Sequence, residues 1–599
     1  MISNIEEFAI VGDGFTAALV GRDGTVAWLC LPCFDSAACM ASLLGSRENG
    51  YWRIAPTAAH RSERRYRDDT LILETTFTTR SGRATVTDFM PTEGRSSSLI
   101  RIVRGIEGRI RFRMELVLRF DYGHRVPWVT REKDGGLVAI AGPDLVVLHT
   151  PVEHRGEELK TIAEFTVNKG DELPFALTYG ASFSETPAAP DAAKAERATG
   201  RYWHRWAKRC NYQGPWREAV IRSLITLKAL IYRPTGGIVA APTASIPELP
   251  GGKRNWDYRY CWLRDSTFTL LAFMLAGYSA EAEAWRKWLI KSLAGTAAQL
   301  QPLYTVRGES RIAEVELPWL AGFGGARPVR IGNAAYAQRQ SDSFGEVLDA
   351  LHHARVMRLR GPEADWAFQC HLLKHLETVI DVPCHGIWET RDRPRHYVHT
   401  KVMMWAAFDR GIRAVEQFGL PGSMRRWKHL RRKLHAEICG RGVDRKTGTF
   451  KRAYNDSRMD AANLLIPLVG FLPPQDPRVA GTIAKIESDL MRGGLVRRYD
   501  TYHVKDGFPP GEGAFLACSF WLADNMILQG RIEDAKALFE RLLRLRNDVG
   551  LLAEEYDPGR RMQVGNFPQA LSHLALVGTA YNLLDESGPA HMRSGLTRL

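Results

Sequence analysis

No run of 18 or more apolar residues occurs in the 599-residue chain, so no segment is predicted to cross a membrane as a helix. The start, MISNIEEFAIVGDGF, has no basic stretch followed by an apolar one, and no export signal is predicted. Cysteine is sparse. The nine present are odd in number and scattered, which predicts reduced thiols in a cytoplasmic protein. No zinc-finger spacing, RNP motif or basic zipper helix occurs. The net charge of +14 is therefore read as a solvated Lys/Arg surface rather than a nucleic-acid footprint. What is present, 45% hydrophobic and 25% charged residues, is typical of a globular protein. The length exceeds one compact core and predicts at least two domains.

Residues 1–185 are rich in short β-type segments: TVAWLCLP, YWRIAP, LILETTFTT, RATVTDFMP, LIRIVRGI, IRFRMELVLRF, GLVAIAG, LVVLHTP and PFALTYGA. Several alternate, as in Arg111-Phe112-Arg113-Met114-Glu115-Leu116, and turn residues lie between them. This predicts an N-terminal antiparallel β-sandwich. Residues 186–215, beginning in ETPAAPDAAKAERA, read as a linker running into a helix. From 216 to 599 about twelve segments carry the 3.6-residue period, from WREAVIRSLITLKALIY to PQALSHLALVGTAYNLL. Some, such as LLAFMLA, are apolar on nearly every face; others are amphipathic. Inner and outer sets of helices predict a double-ringed all-α (α/α)6 barrel.

Three stretches carry chemistry. NWDYRYCWLRDS (255–266) interleaves aromatic faces with Asp and Arg, a mixture suited to a sugar's apolar C–H faces and hydroxyl rim. The plainer alternative is that Asp265 or Ser266 caps the helix that follows. CHGIWETRD (384–392) sets Trp388 beside Glu389 in a loop. An indole against a carboxylic acid raises its pKa and suits a proton donor; the plainer alternatives are an ordinary Glu in a helix N-terminal turn or one paired with Arg391. GLLAEEYDPGRRMQVGNFPQALSH (550–573) holds Glu554 and Glu555 in a loop ahead of the last helix. A base that activates water is expected to be ionised and solvated; the alternative is an acidic pair on the surface.

These three stretches, in this order, resemble glycoside hydrolase family 15, which contains glucoamylases, glucodextranases and the trehalases of bacteria and archaea. GDGFTAALVGRDG and DFMP resemble its bacterial N-terminal domain. RPVRIGNAAYAQRQSD, KVMMWAAFDRG, DAANLLIPLVGFLPPQDPRV and GEGAFLACSFW resemble its helical domain. The resemblance covers nearly the whole chain and implies a β-sandwich followed by an (α/α)6 barrel. It implies that Glu389 is the general acid and Glu554 the general base, with Glu555 the neighbouring alternative. It further implies that Arg264 and Asp265 grip a terminal glucose, that Arg498 of LVRRYD contacts sugar, and that Trp262 and Trp388 line the same pocket. No cofactor and no metal are implied.

The sequence departs from the family pattern at AWLCLPCFDS (27–36), where Ala27 and Cys33 stand for an expected Asp and Arg. This puts in doubt a role for that loop in closing the pocket. Cys30-x-x-Cys33 lacks the second ligand pair that zinc requires. The expected activity is inverting, exo-acting α-glucoside hydrolysis on a small carbohydrate, with α,α-trehalose first and maltose or maltodextrins second. A glycoside phosphorylase and an inactive sugar-binding protein are the other readings. No nucleic-acid or membrane partner is expected, and homo-oligomerisation is left open.

Overall fold

The strand Ser98–Val117 organises the N-terminal half. The sequence suggests two strands here, LIRIVRGI and IRFRMELVLRF, separated at Glu107–Arg109. The computed structural model, which describes residues 4–94, 96–132, 135–359, 361, 363–585 and 588–595, shows one. Its first part pairs with Gly82–Phe89 and Glu172–Ala181, its second with Tyr51–Pro56 and Lys160–Asn168. The strand passes from one set of neighbours to the other at its glycines. A Cβ at Gly105 would lie 1.9 Å from the Asn168 carbonyl oxygen, so only glycine allows that approach. Among the described residues fifteen strands join into one antiparallel sheet through this element. The alternation behaves as expected. Phe112, Met114 and Leu116 are buried, while Arg113 on the other face pairs with Glu115 and Glu164 at 2.9 and 3.0 Å.

Asp191 caps the helix Ala192–Ala207 by accepting from the Lys194 amide at 2.9 Å, and a helical half follows. All thirteen residues of Leu516–Leu528 are buried, whereas Met424–Arg441 buries only Trp427, Leu430, Leu434 and Ile438. Helix Leu263–Leu275 packs on Asp342–Val356, and that on Val398–Phe418. The succession continues through the single turn Leu465–Leu468, Leu516–Leu528 and Ala570–Asn582, which returns to Leu263–Leu275. DAANLLIPLVGFL, expected as a full helix, supplies only that turn after a 3-10 turn, Ala461–Leu464. Pro467 lacks the N–H that an extended helix needs, and Gly470 at φ +76° ends it. No helix among the described residues is long and apolar enough to cross a membrane.

The two halves are joined beside the cleft. The Trp28 indole donates to the Pro242 carbonyl at 2.8 Å. Arg259 is fully buried, pairs with Asp257 at 2.6 Å, and reaches into the N-terminal half to Ser36 O at 2.7 Å and the Tyr122 hydroxyl at 2.8 Å. Segment 27–36 thus braces Arg259. Cys30 Sγ lies 3.4 Å from that guanidinium, and Cys33 Sγ 3.0 Å from Ser36 Oγ.

Candidate active site

The run 255–266 alternates two jobs. Asp257 and Arg259 turn back to the N-terminal half. Trp256 and Tyr258 line a cleft together with Arg264, Trp388, Glu389 and Arg498. Tyr258 donates its hydroxyl to Glu554 Oε1 at 2.5 Å, and the Trp262 indole donates to Glu389 Oε1 at 2.6 Å. The two rings meet edge to face with centroids 5.1 Å apart. One aromatic pair therefore holds both expected carboxyls.

Glu389 lines the cleft. Its backbone stands at φ +55°, uncommon for a non-glycine residue and a marker of functional turns. Burial raises its carboxyl above the ordinary value, while Arg264, the Trp262 indole and Gln340 pull it back. The Arg264 guanidinium is 3.9 Å away. Trp388, beside it, also lines the cleft and donates to Asp460 Oδ1 at 2.7 Å. That oxygen also accepts from the Ala462 amide, so the turn Ala461–Leu464 fixes the indole.

Glu554 is 1% exposed, which corrects the expectation of a solvated base and excludes a surface pair. Burial first, then the charge of Glu248, pushes its pKa up to about 8; Tyr258, Arg498 and Arg264 oppose this. Its Oε2 is buried without a hydrogen-bond partner among the described residues. A Cβ at Gly565 would lie 2.7 Å from that oxygen, so the glycine of QVGNF keeps space beside the carboxylate. Glu555, expected in a loop, opens the short strand Glu555–Asp557. Its Oε2 accepts from the Gly513 amide at 2.8 Å, and burial with Glu248 and Glu512 raises its pKa well above the ordinary value.

Arg498 ties the acids together. It reaches Glu248 at 2.9 Å, Glu512 at 2.7 Å and Glu555 at 3.8 Å, and it lies 5.6 Å from the Trp388 ring. Glu248, Glu512 and Glu555 are the one carboxylate grouping among the described residues close enough to share a cation. Here Arg498 and Arg254 supply the positive charge, Arg254 at 3.5 Å from Glu512. Arg497 instead lies 3.6 Å from Asp500, outside the cleft lining. Arg264, Trp388, Glu389 and Arg498 line the cleft. Trp262, Asp265 and Glu554, expected in the same lining, are outside it and bond the lining residues Glu389, Arg264 and Tyr258 respectively.

Two carboxyls held over an aromatic, arginine-lined cleft suit acid–base hydrolysis of a sugar. Residues 214–581 match the profile of glycosyl hydrolases family 15, and residues 2–203 match the profile described as trehalase-like, N-terminal. The chain belongs to glycosyl hydrolase family 15. It is 36% identical to a trehalase of Mycobacterium tuberculosis over 97% of this chain and 89% of that one. It is 33% identical to a trehalase of Thermoplasma acidophilum over 94% and 98%. A bacterial glucoamylase complexed with acarbose shares the fold at a TM-score of 0.74 and 13% identity, covering 98% of this chain and 94% of that one. As a member of family 15 the protein is a glycoside hydrolase.

Several residues of this family 15 cleft escaped sequence reasoning. Tyr258 and Trp256 lay inside the quoted run without a role. Asp460 and Glu512 lay inside DAANLL and GEGAF, where only the resemblance drew notice. Glu248, in IPELPGG, carried no signal: its importance comes from Arg498, 250 positions away.

Asp265 is not the cap of the helix, whose N-cap position is Trp262. It lies in the first turn of Leu263–Leu275, and both of its oxygens take the Arg264 guanidinium, at 2.6 and 3.3 Å. Arg264 in turn donates to Ile387 O at 2.8 Å. Asp265→Asn keeps the volume but removes the charge that orients Arg264. We expect kcat/KM to fall by about 10²-fold or more, as for loss of a charge-assisted contact at the reacting sugar. Steady-state kinetics with melting curves check this. Early melting with normal hydrolysis would make the pair a purely structural one.

Proposed function

We propose that this glycoside hydrolase is an inverting, exo-acting α,α-trehalase that releases β-glucose. The observation that carries the reading is its similarity along nearly the whole chain to curated trehalases, at 30–36% identity. Glu389 gives its proton to the glycosidic oxygen. Glu554, through its unpartnered Oε2, takes a proton from a water attacking the opposite face of the ring. Such a single displacement needs the carboxyls about 6.5–9.5 Å apart. Arg264, Trp388 and Arg498 hold the terminal glucose, with Asp265 and Trp262 positioning the first of them and Glu389. A phosphorylase would have no use for Glu554.

The finer architecture belongs to the same reading: a β-sandwich at 1–185, a linker helix region at 186–215 and an (α/α)6 barrel at 216–599. The closed succession of packed helices supports the barrel. Nine free cysteines favour a reducing cytoplasm, where a small disaccharide is the accessible substrate.

We expect kcat/KM for trehalose at least about tenfold above that for maltose. Hydroxyls presented differently by the second ring can be discriminated by hydrogen bonds. A panel of trehalose, maltose, isomaltose, maltotriose and soluble starch, assayed for glucose with and without phosphate, tests this. Equal or better use of maltose or starch would move the protein to the glucoamylase side of the family.

A further inference from the structure

The run from Ile387 to Arg391 passes along the cleft wall with Glu389 in its middle. At one end Arg264 bonds Ile387 O at 2.8 Å. At the other end Arg391 lines the same cleft. Glu389 marks where the glycosidic oxygen must sit. A sugar on the Arg264 side is therefore the one cleaved from its partner, and a sugar on the Arg391 side is the leaving group.

Arg391 is built to stay put. Glu314 takes its two terminal nitrogens at 3.1 and 2.6 Å, a fork-to-fork pair. Glu314 is itself fixed by the Ala334 amide at 3.1 Å. The guanidinium lies 5.2 Å from the Trp256 ring and 5.6 Å from Phe508, which meet edge to face at 4.8 Å. Its backbone amide donates to Asp506 O at 2.8 Å. Glu314 takes two of the five N–H donors of this side chain, which remains 24% exposed. A fixed planar donor beside two aromatic faces has what a glucose ring needs: N–H groups for hydroxyls and a flat surface for C–H.

We infer that Arg391, held by Glu314 over Trp256 and Phe508, bonds the hydroxyls of the leaving glucose and sets the preference among disaccharides. This rests on the hydrolase reading above, with Glu389 as the acid. A charge on the leaving-group side does not serve the sugar on the Arg264 side, so its loss spares substrates whose leaving group has no hydroxyls to bond.

The test compares trehalose with phenyl α-glucoside, whose leaving group still needs a proton but offers no sugar hydroxyls. Arg391→Met keeps the apolar stem on Trp256. It is expected to lower kcat/KM for trehalose about 10²-fold and to leave phenyl α-glucoside within about threefold. Arg391→Lys keeps the charge without the fork and is expected to lose about tenfold on trehalose alone. Glu314→Gln should follow in the same direction. Equal losses on both substrates would make Arg391 a support for Glu389 or for the fold, and no loss on trehalose would remove it from the leaving-group site; either overturns the inference. If the wild-type protein prefers maltose, the trehalase reading fails, and the same comparison on maltose still decides the role of Arg391.

Discussion

Glu389→Gln is expected to fold normally and to lose about 10²–10⁴-fold in kcat on trehalose, the usual cost of removing a general acid. The amide keeps the shape and can still accept the Trp262 indole, so melting should change little. It has no proton to give the leaving oxygen. α-Glucosyl fluoride supplies the control, because fluoride departs without protonation. The variant should hydrolyse it within an order of magnitude of wild type. A variant that keeps more than half of wild-type turnover on trehalose would remove Glu389 from the acid role.

Glu554→Gln should be as damaging by another route, and here fluoride gives no relief. The attacking water loses its base whatever the leaving group. Glu555→Gln should be milder: Glu555 bonds the Gly513 amide and belongs to the Arg498 cluster, while Glu554 keeps an oxygen without a hydrogen-bond partner among the described residues. If the severity is reversed, Glu555 is the base. The same geometry sets a pH dependence. On the proposed assignment the competent enzyme has Glu389 protonated and Glu554 ionised, which gives a bell-shaped kcat/KM whichever group titrates first. Its centre lies midway between the two values. Burial raises both carboxyls above their ordinary values, so the optimum should lie above that of an unshifted carboxyl pair. A sharp optimum near pH 4 would contradict the burial that raises both.

Much of this site was legible because one short segment carries it. Residues 255–266 alternate aromatic and charged side chains, and both the cleft wall and the brace to the N-terminal half come from that alternation. Trp388 beside Glu389 was legible for the same reason, since neighbours in sequence are neighbours in space. What failed was long-range. That Glu554 is buried, with the charges of Glu248 and Arg498 acting on it, arises only in the folded chain. Sequence alone treated Asp265 as a cap or a sugar ligand, because the choice turns on where the Arg264 side chain points. The single strand Ser98–Val117 has the sequence of two, because Gly105 and Gly108, which look like turn residues, instead permit close approaches to Asn168 and Ser81.

The central claim, two carboxyls performing a single displacement on trehalose, is tested most directly by following the anomers of the glucose released, by proton NMR before mutarotation. Both rings of α,α-trehalose are α. Inversion at one carbon predicts equal initial amounts of β-glucose from the attacked ring and α-glucose from the leaving ring. Initial release of α-glucose alone would mean retention and would contradict the account, as would failure to cleave trehalose at all.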